Sequence, residues 1–183
     1  MKNRFRCLKN KNIVLIGFMG SGKTTISDYL SKAMGRKKID TDILIKKREK
    51  CSIIEIFENY GEEYFRNLES EVVSEISDMK NCIISCGGGT VLRHENVENL
   101  KKNGIIVLLS AKPKTVLIRV KNSDSRPILN GNMNEHFIKE LMDKRSFSYM
   151  SVADIVVDTD NKSIISISDE IIDKAAIFAS SEK

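Results

Sequence analysis

The chain has 183 residues, 41% hydrophobic and 30% charged, enough to bury one core and too apolar for a disordered tail. Thirty Lys and Arg against 25 Asp and Glu leave a net charge of +5, unevenly placed: residues 1–50 carry +10, 51–100 carry −7, 101–150 carry +6 and 151–183 carry −4. Aromatic residues are 6% with no Trp, so the basic groups are not interleaved with stacking side chains, which excludes nucleic acid as the main ligand and favours small anions.

The N-terminal stretch MKNRFRCLKNKNIVLIGFMG has the basic-then-apolar order of a secretion signal, but its apolar run is short and passes straight into Ser-Gly-Lys without a cleavage pattern. It reads instead as a buried first strand over about 12–17. No run approaches the ~20 apolar residues of a membrane span, so a cytoplasmic protein without membrane attachment is expected. Gly17-Phe-Met-Gly-Ser-Gly-Lys-Thr24 then completes a G-x-x-x-x-G-K-[ST] phosphate loop, with a helix predicted over 23–34 immediately after it. Strand, loop and helix in that order are the context in which the pattern binds nucleotide. Backbone N–H groups around Gly20, Ser21 and Gly22 would wrap the phosphates at a helix N-terminus. Lys23 would neutralise the β- and γ-phosphates, and Thr24, with Thr25 beside it, would bring a hydroxyl to a Mg²⁺ ion.

A second strand over 37–40 ends in Ile-Asp40-Thr-Asp42, where two carboxylates two residues apart on an extended chain project to one side. A carboxylate here suits a polyol, Mg²⁺-bound water or the proton of an attacking hydroxyl. Asp42 also reads as the N-cap of a helix over 43–50, and the two roles are compatible; Asp40 has no such competing explanation. Helices over 52–59 and 61–79 follow. In the second, Arg66 has Glu62 and Glu63 one turn before and Glu69 one turn after, spacing that fits surface ion pairs. Phe57 and Phe65 nearby equally fit a cleft in which Glu69 holds the guanidinium for an anionic substrate.

The strand over 82–86 runs into Gly87-Gly88-Gly89. A triplet without side chains at the carboxyl end of a parallel strand either offers backbone N–H groups to a ligand or is a tight strand exit. A helix over 94–102, a strand over 105–109 and a helix over 113–121 continue the alternation, which predicts a parallel sheet wrapped by helices. Residues 121–135 break the rhythm with Asn, Ser, Asp, Gly and Pro, and their Arg126 fits a lid that closes over a ligand. A helix over 135–149 carries Arg145, a strand over 154–157 completes a five-stranded sheet, and a helix over 163–179 ends the pattern. Cys7, Cys51, Cys82 and Cys86 form no C-x-x-C pair and His94 and His136 lie far apart, so no zinc site is expected; Cys82 and Cys86 read as small core residues.

Phosphate loops serve many reactions. The chain is short and lacks the N-K-x-D guanine-reading motif, which leaves a small-molecule kinase as the leading class. GFMGSGKTT, DTDILI, SIIEIFENYGEEYFRNLE, ISCGGGTVL, the Arg-Pro of the lid and KRSFSYMSVADIVVDT together resemble the shikimate kinase family over about 12–158. That resemblance implies a three-layer α/β/α fold of the P-loop, nucleoside monophosphate kinase-like type. One domain would span 1–183, with its core over about 12–160, a substrate-binding helical region over about 42–80 and a lid over about 121–135. It implies ATP as co-substrate, Mg²⁺ as cofactor, shikimate as acceptor, and a monomer with neither nucleic-acid nor membrane partners. By position, Lys23 and Thr24 resemble the phosphate and Mg²⁺ residues, and Asp42 resembles the residue that holds the shikimate hydroxyls and is the candidate base. Asp40 resembles the residue near Mg²⁺-bound water, and Arg66, Arg145, Gly88 and Gly89 resemble binders of the carboxylate and ring hydroxyl. Arg126 resembles the lid arginine that reaches the ATP phosphates, and Arg119 the arginine associated with adenine. Phe147 stands where the family often has Pro, so the local helix end is expected to differ. A gluconate or nucleoside monophosphate kinase, or a nucleotide-binding module without turnover, is the alternative.

Overall fold

The computed structural model describes residues 7–121 and 134–181. Five parallel strands form one sheet in the order β2-β3-β1-β4-β5: β1 (Asn12–Ile16), β2 (Lys37–Asp40), β3 (Cys82–Ser85), β4 (Gly104–Ser110) and β5 (Ile155–Asp158). Seven α-helices connect and cover them among the described residues: α1 (Lys23–Met34), α2 (Thr41–Glu49), α3 (Ile53–Ile76), α4 (His94–Lys101), α5 (Pro113–Lys121), α6 (Glu135–Val152) and α7 (Ile164–Ser181).

The central strands are apolar without a break because helices cover both of their faces. Alternate residues feed separate cores. Val14, Ile16, Ile84, Ile106 and Leu108 pack with residues of α3 to α6, including Val73, Leu100, Val116 and Tyr149. Ile13, Leu15, Ile83, Ile105 and Val107 pack with Ile26 and Leu30 of α1 and Ile167, Ile171 and Ala175 of α7. A third cluster, Ile45, Ile56, Phe65, Leu68 and Val72, joins α2 to α3 beside the sheet. Register is fixed by pairs such as Leu15 with Ser85 and Leu15 with Val107, so β1 and β3 end side by side and their exits share one edge.

Helix boundaries show where local chemistry decides. The two helices expected over 52–79 form one element, interrupted at Gly61, whose φ of 80° and ψ of 175° lie outside helical space. Its start is a capping box: Ser52 Oγ accepts from the Glu55 amide at 3.2 Å while Glu55 Oε2 accepts from the Ser52 amide at 2.7 Å. The helix expected from 43 begins at Thr41, because Asp40, not Asp42, is its N-cap; Asp40 Oδ1 accepts from the Ile43 amide at 3.2 Å. α6 runs on past Phe147 to Val152, so the position where the family often has Pro is an exposed mid-helix residue. Cys82 and Cys86 are buried as read, and all four cysteines are unpaired. No described helix is long and apolar enough to cross a membrane.

Candidate active site

The exits of β1, β2 and β3 open into one cavity of about 950 Å³. The phosphate loop forms one side of it. Gly22 sits at φ 101° in the left-handed region and is the N-cap of α1, which has no side-chain cap; the first amides of the helix are therefore open to an anion. The Lys23 ammonium donates to the Gly17 and Phe18 carbonyls at 2.8 and 3.1 Å, curling over its own loop. Thr24 and Thr25, on the exposed first turn of α1, line the same space. Arg119 reaches the loop from α5: its Nη1 donates to the Gly20 carbonyl at 3.2 Å and the Thr159 hydroxyl at 3.0 Å, and its Nη2 to the Thr159 carbonyl at 3.0 Å. The edge of that guanidinium ties the loop to the exit of β5. Arg126 lies outside the described residues.

On the opposite side the glycine triplet is the meeting point. A Cβ on Gly87 would stand 2.6 Å from both Asp42 Oδ1 and Glu69 Oε1, and one on Gly89 would collide with the Arg66 guanidinium. One on Gly88 would stand 3.7 Å from Arg145 Nη1 and from the Tyr149 hydroxyl. Only glycine at positions 87 and 89 lets Asp42, Glu69 and Arg66 close on the strand exit, whereas a Cβ at 88 would be in ordinary contact. The triplet is pinned by neighbours: the Gly87 amide donates to Thr41 Oγ1 at 2.9 Å, and the Tyr149 hydroxyl donates to the Gly88 carbonyl.

Arg66 shows both readings of its spacing at once. Its Nη2 donates to the exposed Glu62 at 2.9 Å, while Nη1 pairs closely with Glu69, which is wholly buried. Glu63 is not a partner of Arg66; it pairs with Arg93. The second oxygen of Glu69 accepts from Thr90 Oγ1 at 2.8 Å, so both oxygens are held and the guanidinium is aimed. Burial works against the Arg66 charge, but Glu69 and Glu62 outweigh it and its pKa rises.

Asp42 lies in the first turn of α2, one residue past the N-cap aspartate's neighbour Thr41, and not on an extended segment as the spacing suggested. Its Oδ1 is buried without a hydrogen-bond partner. Burial, then Asp40 and Glu69, push its pKa up from 3.8 to about 6, against the pull of Lys23 and Lys46. A buried acceptor with a perturbed carboxyl, beside a phosphate loop, marks a place for a ligand hydroxyl. Thus Asp40, Asp42, Arg66, Gly88, Gly89 and Arg145 are brought together from five separate elements or loops, facing the phosphate loop across one cavity. Thr41, Thr90 and Tyr149 were missed in the sequence. Their signals were position alone: between the two aspartates, directly after the triplet, and one helical turn beyond Arg145.

Fold and site define a P-loop phosphotransferase with a small polar acid as acceptor. A family model described as shikimate kinase matches residues 19–176. The shikimate kinase of Caldanaerobacter subterraneus subsp. tengcongensis is 43% identical over 162 residues, covering 88% of this chain and 94% of that protein. Among solved structures, the Acinetobacter baumannii shikimate kinase in complex with shikimate superposes with a TM-score of 0.85 at 30% identity, covering 97% of this chain and 98% of that one. The Aquifex aeolicus shikimate kinase gives 0.76 at 38% identity, covering 90% and 95%. The chain belongs to the shikimate kinase family, whose co-substrate is ATP, and it is an ATP-dependent kinase.

Proposed function

We propose that the chain transfers the γ-phosphoryl group of ATP to the 3-hydroxyl of shikimate, with the acceptor held where Asp42, Arg66 and Arg145 converge on the glycine triplet. That convergence is the observation that carries the reading. Two arginines suit one carboxylate, each through charge-assisted hydrogen bonds. Asp42, acceptor-only when ionised, suits the ring hydroxyls and the proton of the attacking one. The hydroxyl oxygen bonds to the γ-phosphorus as the bond to ADP breaks, and its proton passes to Asp42. Lys23 stabilises charge on the transferring group, joined by Arg126 from the segment after α5; positioning and electrostatics supply most of the rate.

The donor set fits Mg²⁺. The Thr24 hydroxyl and the Asp40 carboxylate are hard oxygen ligands in the cavity beside Lys23. No group of three or more His, Cys, Asp or Glu able to hold a metal exists among the described residues. The ion would therefore rely on phosphate oxygens and water, with Thr24 direct and Asp40 through water. When bound it neutralises phosphate charge. Arg119 serves the nucleotide end, where Gly20, Ser21, Gly22 and Thr25 line the same wall. A monomeric, cytoplasmic enzyme completes the proposal.

A coupled ADP-release assay on purified protein tests it. Shikimate-dependent turnover that needs Mg²⁺ is expected. Lys23→Ala should abolish turnover, whereas Arg66→Ala and Arg145→Ala should chiefly raise the shikimate KM. Turnover on gluconate or a nucleoside monophosphate in place of shikimate overturns the substrate, and unchanged shikimate kinetics in both arginine variants overturn the clamp.

A further inference from the structure

The Tyr149 ring belongs to the core between the sheet and α6, where a phenylalanine would pack as well. Its hydroxyl is what needs an explanation. Tyr149 is 5% exposed, and that hydroxyl donates to the carbonyl of Gly88, the middle residue of the triplet. One turn earlier on α6 stands Arg145, at the same distance from a Cβ built on Gly88 as the hydroxyl is, 3.7 Å. The arginine and the phenol therefore meet the triplet at one point.

A peptide unit is planar and trans, so its C=O and the following N–H point in opposite directions. Fixing the Gly88 carbonyl against Tyr149 fixes the Gly89 N–H pointing away from it. Among the described residues, the Gly88 and Gly89 amides donate to no protein acceptor, whereas the Gly87 and Thr90 amides are bound to Thr41 and Gly87. Without a side chain at either position, a glycine pair at a strand exit has more than one peptide orientation open to it. One hydroxyl selects among them.

We infer that Tyr149 is a positioning residue for the acceptor: its hydroxyl locks the Gly88–Gly89 peptide so that the free amides and Arg145 present a preformed set of donors to the bound acid. The inference rests on the acceptor site proposed above and adds a residue that does not itself touch substrate. It divides the triplet's support by function. Thr41 holds Gly87 to the sheet exit, Thr90 holds Glu69 and through it Arg66, and Tyr149 holds the peptide between the two arginines.

The test is Tyr149→Phe in the full chain, with separate titrations of shikimate and ATP in the ADP-release assay. Loss of one neutral, part-buried hydrogen bond, at about 1 kcal/mol, corresponds to about a 5- to 10-fold change. A shikimate KM raised by about that factor, with kcat and the ATP KM within about twofold of wild type, is expected. An unchanged shikimate KM, or a parallel loss in all three constants, overturns the inference. Wild-type protein without shikimate-dependent turnover would instead overturn the acceptor site itself, so the two failures are distinct. Should Tyr149→Phe not fold, NMR of the wild-type chain decides: one of its four tyrosyl hydroxyl protons should exchange slowly with water and lie close to the triplet. Fast exchange of all four overturns the lock.

Discussion

Replacing Asp42 with Asn is expected to make the empty protein more stable and the enzyme nearly inactive. Asp42 Oδ1 is buried with no partner, and the carboxyl titrates at about 6 in place of 3.8, through burial first and then the charges of Asp40 and Glu69. A shift of about two units, at about 1.4 kcal/mol each, sets the cost of the ionised form at up to about 3 kcal/mol. An acid whose pKa rises on folding holds its proton more tightly in the native state. The penalty is therefore absent below about pH 3.8, grows as pH rises, and is complete above about 6. Asp42→Asn should melt above wild type at neutral pH by up to about 6–12 °C, at about 2–4 °C per kcal/mol for a chain of this size, and the gap should close towards pH 4. The measurement is calorimetry in EDTA without nucleotide or acid, so that no added charge neutralises the site. Turnover should fall by about 10²–10⁴, the range for loss of a general base. A variant that melts no higher than wild type at neutral pH, or higher by a margin independent of pH, refutes an uncompensated charge on Asp42.

Glu69→Gln removes the buried partner of Arg66 and should cost about 3 kcal/mol in a urea titration, while Arg66→Met with Glu69→Leu should recover most of that stability and leave the shikimate KM raised; equal stabilities of all three would show the pair to be incidental. Gly87→Ala places a methyl 2.6 Å from the Asp42 and Glu69 oxygens, so shikimate affinity by calorimetric titration should fall at least about tenfold while ATP binding persists, since a misplaced acceptor site costs about that much or more. Gly61→Ala meets nothing within 4 Å but forces alanine to φ 80°. It should lower stability by about 1–3 kcal/mol with full activity, and an unchanged melting temperature would mean that α3 straightens there.

The sheet was readable because its central strands have one physical explanation. Short apolar runs separated by helical patterns can bury both faces only as parallel strands under helices, and β1, β3 and β4 follow that logic. Helix starts were less readable, since they depend on which of two neighbouring polar groups reaches an amide first. Asp40-Thr-Asp42 offered two caps, and Asp40 takes the role because it ends β2 in an extended conformation, at φ −120°, from which its carboxylate faces the Ile43 amide. Asp42 is thereby freed of a structural task and turned into the cavity. Spacing alone points to Asp42 for the capping duty that Asp40 performs, and both carboxylates line the cavity.

The same asymmetry separates what was visible of the site from what was not. Charged residues with repeated spacing, such as Arg66 with Glu69, announce a local interaction, because three residues on a helix is a contact distance wherever the helix lies. Thr41, Thr90 and Tyr149 act across 21 to 61 residues of sequence, through single hydroxyls on backbone groups or a buried carboxylate. Nothing in a threonine or a tyrosine distinguishes such a contact from ordinary packing until the fold is known. The Thr41 and Tyr149 hydroxyls fix a glycine triplet that has no side chains of its own to hold it, and the Thr90 hydroxyl fixes Glu69 behind Arg66. The recognisable residues thus carry the charge, and three unremarkable ones carry the geometry that makes the charge selective.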